Sequence, residues 1–341
     1  MIQCDLRDEQ SPYGRGDGAE TRWAASMAWK HVERAESVAS DGAFVYADGL
    51  MAYASGEIIN NRYRILDKLG AGAHGVVYRA RDLETRDEVA LKFLGEGKGL
   101  DPEYSKRIER EAIAMARLRG TSAVYVHGLN LSQDGMLYLV MEMLAGKDLE
   151  AYLREAERVG GKLKKPKLLE LLRPVVETLE AAHKQGIIHR DLKPSNVFVV
   201  DASRGGGVRL LDFGLAKMMD ASMLTADGMI AGTPNYIAPE AWQGQSRVLD
   251  HRVDVYALGV LVFRALAGRT PAPASNLLDI CSWATNGDRP SLHALRPSLP
   301  ATIDAWVEKA LAISPDDRFQ SVQSLFTALE GLLATRAASP F

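Results

Sequence analysis

The chain has 341 residues, 47% of them hydrophobic and 25% charged, a composition with enough apolar side chains for a large core, which excludes wholesale disorder and collagen-like repeats. Its 41 Lys and Arg against 44 Asp and Glu leave a formal charge of −3, so no cationic excess favours nucleic acid or anionic lipid. Cys4 and Cys281 are too few for a disulfide framework and lack paired zinc-ligand spacing.

Residues 1 to 60 hold five basic and ten acidic side chains and read as an acidic extension. Its first nine residues contain no signal-peptide core, and the longest strongly apolar run, Val255 to Phe263, is too short to span a bilayer. The expectation is a cytoplasmic protein. Residues 11 to 18 are linker chemistry, residues 21 to 39 could form a short helix, and Arg15-Gly16-Asp17 is read as chance. From Arg62 the pattern predicts a β-meander: Tyr63 to Leu66 and Val76 to Ala80 flank a glycine turn, and Val89 to Leu94 follows. A helix with Asp101 as N-cap and Pro102 at its first position comes next, then strands near Val124 to Val126 and Leu137 to Met141. Beyond Gly146 the texture is helical, with helices predicted over Leu149 to Arg158, Lys167 to Lys184, Val253 to Ala267, Ile303 to Ile313 and Val322 to Leu333. Pro174 falls inside the second of these, where a proline typically costs ~3 kcal/mol.

Several segments carry chemistry. Gly70-Ala71-Gly72-Ala73-His74-Gly75-Val76-Val77 lets backbone amides approach a phosphate, because glycines remove the Cβ obstruction. Taken alone it is also a plain hairpin turn. The strand that follows it, where a dinucleotide fold needs a helix, favours a flap over nucleotide phosphates. On Val89-Ala90-Leu91-Lys92, alternation puts Ala90 and Lys92 on one face, so a small residue admits a flat base while an ammonium reaches its phosphates. Downstream, Tyr104, Ile108, Glu111, Met115 and Leu118 share a helical face. A carboxylate in that apolar stripe is costly unless paired, and Lys92 is its natural cation; a solvated Glu is the bland alternative. Finally, His189-Arg190-Asp191-Leu192-Lys193-Pro194-Ser195-Asn196 gathers a carboxylate, an ammonium and a carboxamide ahead of a predicted strand.

That last segment resembles the catalytic loop of a protein kinase, and Asp212-Phe213-Gly214 and Ala238-Pro239-Glu240 follow in the order the family requires. The similarity runs from Arg62 to Leu333 and is nearest to bacterial serine/threonine kinases of the eukaryotic-like type. It implies that Asp191 accepts or orients the proton of the substrate hydroxyl, that Lys193 neutralises the moving phosphoryl, and that Lys92, fixed by Glu111, holds the α and β phosphates of ATP. Asn196 and Asp212 would hold Mg²⁺, with Mn²⁺ as an alternative ion. Leu69 and the glycine flap from Gly70 to Val77 would cover the nucleotide, and Val77 and Ala90 would pack on its base. The segment Leu139 to Leu144 resembles the connector between lobes, with Met141 guarding the back pocket and the main chain at Glu142 and Leu144 binding adenine; read without the other motifs, it is a buried strand and a linker. Asp254 would brace the catalytic loop and Arg318 would pair with Glu240, while Phe213 and Gly214 complete their motif.

Asp-Leu-Lys-Pro together with Gly232-Thr233-Pro234-Asn235-Tyr236 is similar to the serine/threonine branch. Arg190, directly before Asp191, marks kinases switched on by phosphorylation of the activation loop, since a guanidinium receives a phosphate bidentately. Thr225 is the expected autophosphorylation site and Ser222 the runner-up, with Asp227 already supplying part of the charge. His74 at the flap tip and Arg119-Gly120-Thr121-Ser122 after the regulatory helix depart from the family pattern without removing a catalytic group. The resemblance implies an α+β, bilobed protein kinase fold. Its parts would be an acidic extension over residues 1–56, a small β-rich lobe with one regulatory helix over 57–144, a larger, mainly helical lobe over 145–335, and a short tail over 336–341. The implied activity is ATP- and Mg²⁺-dependent phosphorylation of protein Ser/Thr hydroxyls in signal transduction, with transient self-association for autophosphorylation in trans and no nucleic-acid or membrane partner. A catalytically dead kinase-fold scaffold is the alternative.

Overall fold

The structure is a computed structural model and describes residues 46–47, 50–51, 53–72, 75–94, 112, 115–213, 234–242, 249–273 and 276–334. Strands β1 (Tyr46–Ala47) and β2 (Leu50–Met51) pair as a separate ribbon. Six strands follow: β3 (Ile58–Ile59), β4 (Tyr63–Gly72), β5 (Gly75–Asp82), β6 (Glu88–Leu94), β7 (Val126–Leu131) and β8 (Leu137–Glu142). They form one antiparallel sheet in the order β3-β4-β5-β6-β8-β7.

Alternation decides what the sheet buries on each face. Val76, Tyr78 and Ala80 of β5, Val89, Leu91 and Phe93 of β6, and Tyr138 and Val140 of β8 form one apolar cluster with Ile59, Tyr63 and Ile65. Tyr53, ahead of β3, completes it: its ring lies 4.6 Å from that of Phe93, and its hydroxyl donates to Asp134 at 3.1 Å. The opposite face carries Val77, Ala90, Lys92, Leu139 and Met141, aligned by the pairings Val77↔Lys92, Lys92↔Leu139 and Ala90↔Met141.

After the sheet, β9 (Gly146–Asp148) leads into α1 (Leu149–Arg158), whose N-cap Asp148 accepts the Ala151 amide. Helix α2 (Lys165–His183) contains Pro174 and stays helical through it. Leu168, Leu171, Leu172, Val175, Val176 and Leu179 are buried on that helix, and at about 1.5–3 kcal/mol per buried aliphatic side chain they outweigh the ~3 kcal/mol of one interior proline. Strands β10 (Val197–Val200) and β11 (Val208–Leu210) join β9 in a three-stranded sheet of order β11-β10-β9. The remaining helices are α3 (Pro239–Trp242), α4 (Arg252–Ala267), α5 (Leu277–Asn286), α6 (Leu292–Leu295), α7 (Ile303–Ala310) and α8 (Val322–Ala334). Every residue of α4 from Val253 to Ala267 is buried, as its apolar circumference predicts.

Three differences from the sequence reading have local causes. The strand expected near 124–126 runs instead from 126 to 131, because the Val124 amide pairs with Leu210 O of β11. Helix α7 stops at Ala310 rather than Ile313; the carbonyls of Ala312 and Ile313 accept from the Arg318 guanidinium instead. Helix α5 was not expected, since Cys, Ser, Trp, Thr and Asn are weak helix formers; its start is fixed by Asn276, whose side chain accepts the Asp279 amide. Among the described residues no helix is long and apolar enough to cross a membrane.

Candidate active site

One inter-strand turn, the ends of three strands and one buried aspartate shape the site. Strand β4 ends on Gly70-Ala71-Gly72 and pairs with β5 through Gly70↔Val77, Ala71↔Val76 and Gly72↔Gly75. Gly75 has φ +111°, and a Cβ there would lie 1.8 Å from Phe93 O, so this position takes only glycine. Leu69 is exposed beside the turn, Val76 buried and Val77 half-buried. Ala73 and His74 lie outside the described residues.

On β6, Lys92 is only 3% exposed, and its Nζ donates to Asp212 Oδ1 at 2.6 Å, linking residues 120 apart. A buried ammonium is costly without an anion, and here the carboxylate is in contact. The partner expected from sequence, Glu111, lies outside the described residues. At the end of β8, Met141 is buried opposite Ala90, and Glu142 and Leu144 are half-buried.

The segment from His189 to Asn196 is suspended from Asp254 of α4. The amide of His189 donates to Asp254 Oδ2 and that of Arg190 to Oδ1, each at 2.8 Å. Arg190 itself has φ +61°, a left-handed conformation that those bonds hold in place. His183, at the end of α2, donates from Nε2 to the same Oδ2 at 2.8 Å. Burial pushes the Asp254 pKa up, but the His183 hydrogen bond and the neighbouring donors outweigh it and hold the carboxyl below its ordinary value. His189 is fully buried. Its Nε2 donates to Leu211 O at 2.9 Å and its Nδ1 accepts from the Asp191 amide at 3.3 Å, an arrangement that needs the neutral ring. Burial accordingly lowers its pKa.

Within this frame Asp191 Oδ2 receives Lys193 Nζ at 2.7 Å and Asn196 Nδ2 at 3.0 Å, and Asn196 Nδ2 also donates to Asp191 O at 2.8 Å. With its nitrogen so fixed, the carboxamide oxygen is the atom by which Asn196 could meet a cation. The Leu211 amide donates to Asn196 O at 2.8 Å, which sets the chain one residue before Asp212, itself at φ +52°. Phe213 is buried with its ring 4.8 Å from that of His189. The set thus joins Lys92, Asp212, Asn196, Asp191 and Lys193: two ammonium groups, two carboxylates and an amide. Oxygen donors of the Asn196 and Asp212 kind suit a hard divalent cation.

Beyond it, Glu240 of α3 is chelated by Arg318, 2.8 Å from Nη1 and 2.6 Å from Nη2, with Arg318 1% exposed. Gly214, Ser222, Thr225, Asp227 and Thr233 lie outside the described residues. Sequence reasoning missed His183, whose only signal is its place six residues before His189. It also missed Arg264, whose buried guanidinium binds Glu150 and Glu157 of α1 and the Tyr236 hydroxyl; a lone Arg in an apolar helix was the available signal.

Comparison with known proteins bears on the family and the fold. The protein kinase domain family model matches residues 63–326. Serine/threonine-protein kinase PknL of Mycobacterium tuberculosis is 34% identical over 285 residues, covering 83% of this chain and 69% of that protein. Serine/threonine-protein kinase Pkn1 of Myxococcus xanthus is 35% identical over 276 residues, covering 80% of this chain and 38% of that protein. The crystal structure of the Mycobacterium tuberculosis PknI kinase domain superposes with a TM-score of 0.64 at 30% identity, over 82% of this chain and all of that one.

Proposed function

Since the chain belongs to the protein kinase domain family, we propose that it is an active serine/threonine protein kinase, transferring the γ-phosphoryl group of ATP to Ser or Thr hydroxyls of proteins. The observation that carries this reading is the contact of Lys92 with Asp212, beside an Asp191 carboxylate engaged by both Lys193 and Asn196. Phosphoryl transfer needs positioning and charge neutralisation more than covalent chemistry. Asp191 Oδ2, oriented by its two donors, would accept the hydroxyl proton, and Lys193, in contact with that carboxylate, would offset charge on the phosphoryl group in flight. Lys92 would hold the α and β phosphates. Val77 and Ala90 would pack on the base, and the main chain at Glu142 and Leu144 would pair with adenine. Asn196 and Asp212 would hold a divalent cation, Mg²⁺ by family usage, which when bound neutralises phosphate charge. A dead scaffold fits less well, because it has no use for this convergence of ionised groups.

The test is incubation of purified chain with radiolabelled ATP, magnesium and a protein acceptor, beside Asp191→Asn. Label should reach Ser and Thr in the first and fall about a hundred-fold or more in the second, the scale of a lost proton acceptor; equal label in both, or none in either, overturns the reading. Mapping the phosphopeptides of the same reaction addresses the regulatory part, in which Thr225, with Ser222 second, is autophosphorylated in trans and answers to Arg190.

A further inference from the structure

Three segments distant in sequence meet at the side chain of Glu142. Its Oε1 accepts the Tyr125 amide at 2.8 Å and Arg209 Nε at 3.1 Å, and the Glu142 amide donates back to Tyr125 O at 2.9 Å. Arg209 lies on β11, directly before Leu210. The Leu210 amide donates to Ser122 O at 2.7 Å, and its carbonyl accepts the Val124 amide at 2.9 Å. Residues 122–125 are therefore stitched by main-chain bonds to β11 at one end and to the end of β8 at the other. The ion pair between Arg209 and Glu142 closes these links into a ring. The ring is also packed: the Arg119 guanidinium lies 4.8 Å from the centre of the Tyr125 ring, and His127 meets the same ring edge-on at 4.8 Å.

The side chains of Glu142 and Arg209 are 25% and 34% exposed, so solvent screens the pair and its contribution to global stability is small. Its geometric consequence is larger. One end of the ring is the main chain assigned above to adenine. The other end is the strand that, three residues past Arg209, delivers Asp212 to Lys92.

We propose that Arg209 is a positioning residue for nucleotide binding: through Glu142 it fixes the spacing between the adenine end and the phosphate end of the site. The proposal rests on the kinase reading above, and it assigns Arg209 no contact with substrate.

The test is steady-state kinetics and melting temperature on the full chain, for wild type, Arg209→Met, Arg209→Lys, Glu142→Gln and the Arg209→Met/Glu142→Gln pair. Arg209→Met should raise KM for ATP about five-fold while kcat and KM for the protein acceptor change less than about two-fold. Glu142→Gln should act in the same direction, the double variant should be little worse than either single one, and Arg209→Lys should restore most of the affinity. A KM for ATP unchanged in Arg209→Met, in a wild-type chain that turns over, overturns this inference alone. So does a loss of kcat that follows melting temperature across all the variants, since that is the mark of a general brace. A wild-type chain that neither turns over nor binds Mg·ADP overturns the kinase reading and this inference together.

Discussion

Asp254 shows how one buried side chain can set the segment proposed as the catalytic loop. Three donors, the amides of His189 and Arg190 and the His183 ring, converge on its two oxygens, and His189 and Asp254 are both fully buried. Replacing it with Ala would strand them all, and removing one partner of a buried ionic network costs about 3–5 kcal/mol; Asp254→Asn keeps the shape and loses the charge. Because the folded pKa lies below the ordinary value of 3.8, the unfolded chain binds more protons in acid. The stabilisation from Asp254 is therefore complete above about pH 5 and is lost as pH falls through 3.8 towards the folded pKa. Urea unfolding midpoints measured from pH 5 to pH 3 should fall more steeply for the wild type than for Asp254→Asn. Parallel slopes would remove Asp254 from the acid limb.

At the scale of elements, the aromatic core of the sheet reaches back beyond the strands the sequence pattern revealed. Tyr53 is 7% exposed, packs on Phe93 and Tyr78, and receives no support from a strand of its own. Truncating a buried aromatic side chain costs about 3–5 kcal/mol, whereas Tyr53→Phe removes only the hydroxyl's bonds to Ser132 and Asp134, about 1 kcal/mol in net terms. Thermal unfolding should thus show Tyr53→Ala far below Tyr53→Phe, and similar melting temperatures for the two would mean that the segment before β3 does not hold the sheet. Strands β4, β5, β6 and β8 were legible because period-2 alternation of Val, Leu, Tyr and Phe is a local signal. Tyr53 was not, because a lone aromatic among Ala, Ser and Gly has no period, and only Phe93 and Tyr78 of the folded sheet give it a socket. The same reasoning covers Arg264 and His183, whose partners come from other helices, and the Glu142–Arg209 pair, which joins the end of one sheet to the edge of another. The proposed site residues Asp191, Lys193 and Asn196 stand within one short segment and could be singled out together, their roles following from the resemblance; residues that position them act over distances that the sequence does not order.

For the molecule as a whole, the consequence of this layout is that the site has no owner. Lys92 belongs to the six-stranded sheet, while Asp191, Asn196 and Asp212 hang from helix α4 and the three-stranded sheet, so a ligand that spans them ties two separately cored regions together. A species that binds only the folded state stabilises it by RT ln(1 + [L]/Kd), about 2.7 kcal/mol at a hundred times Kd, which for a chain of this size corresponds to a rise in melting temperature of about 4 °C. Mg·ADP at saturating concentration should give such a rise. ADP without the metal should give less, because the phosphates then meet the carboxylate of Asp212 unscreened. In Asp212→Asn that repulsion is gone, so the gap between ADP and Mg·ADP should narrow while the melting temperature of the free variant is read as its own baseline. Scanning fluorimetry across the four combinations separates the outcomes. A gap of equal size in both proteins would detach Asp212 from the metal, and no rise with Mg·ADP in the wild type would mean that the groups meeting at Lys92 do not form a nucleotide site.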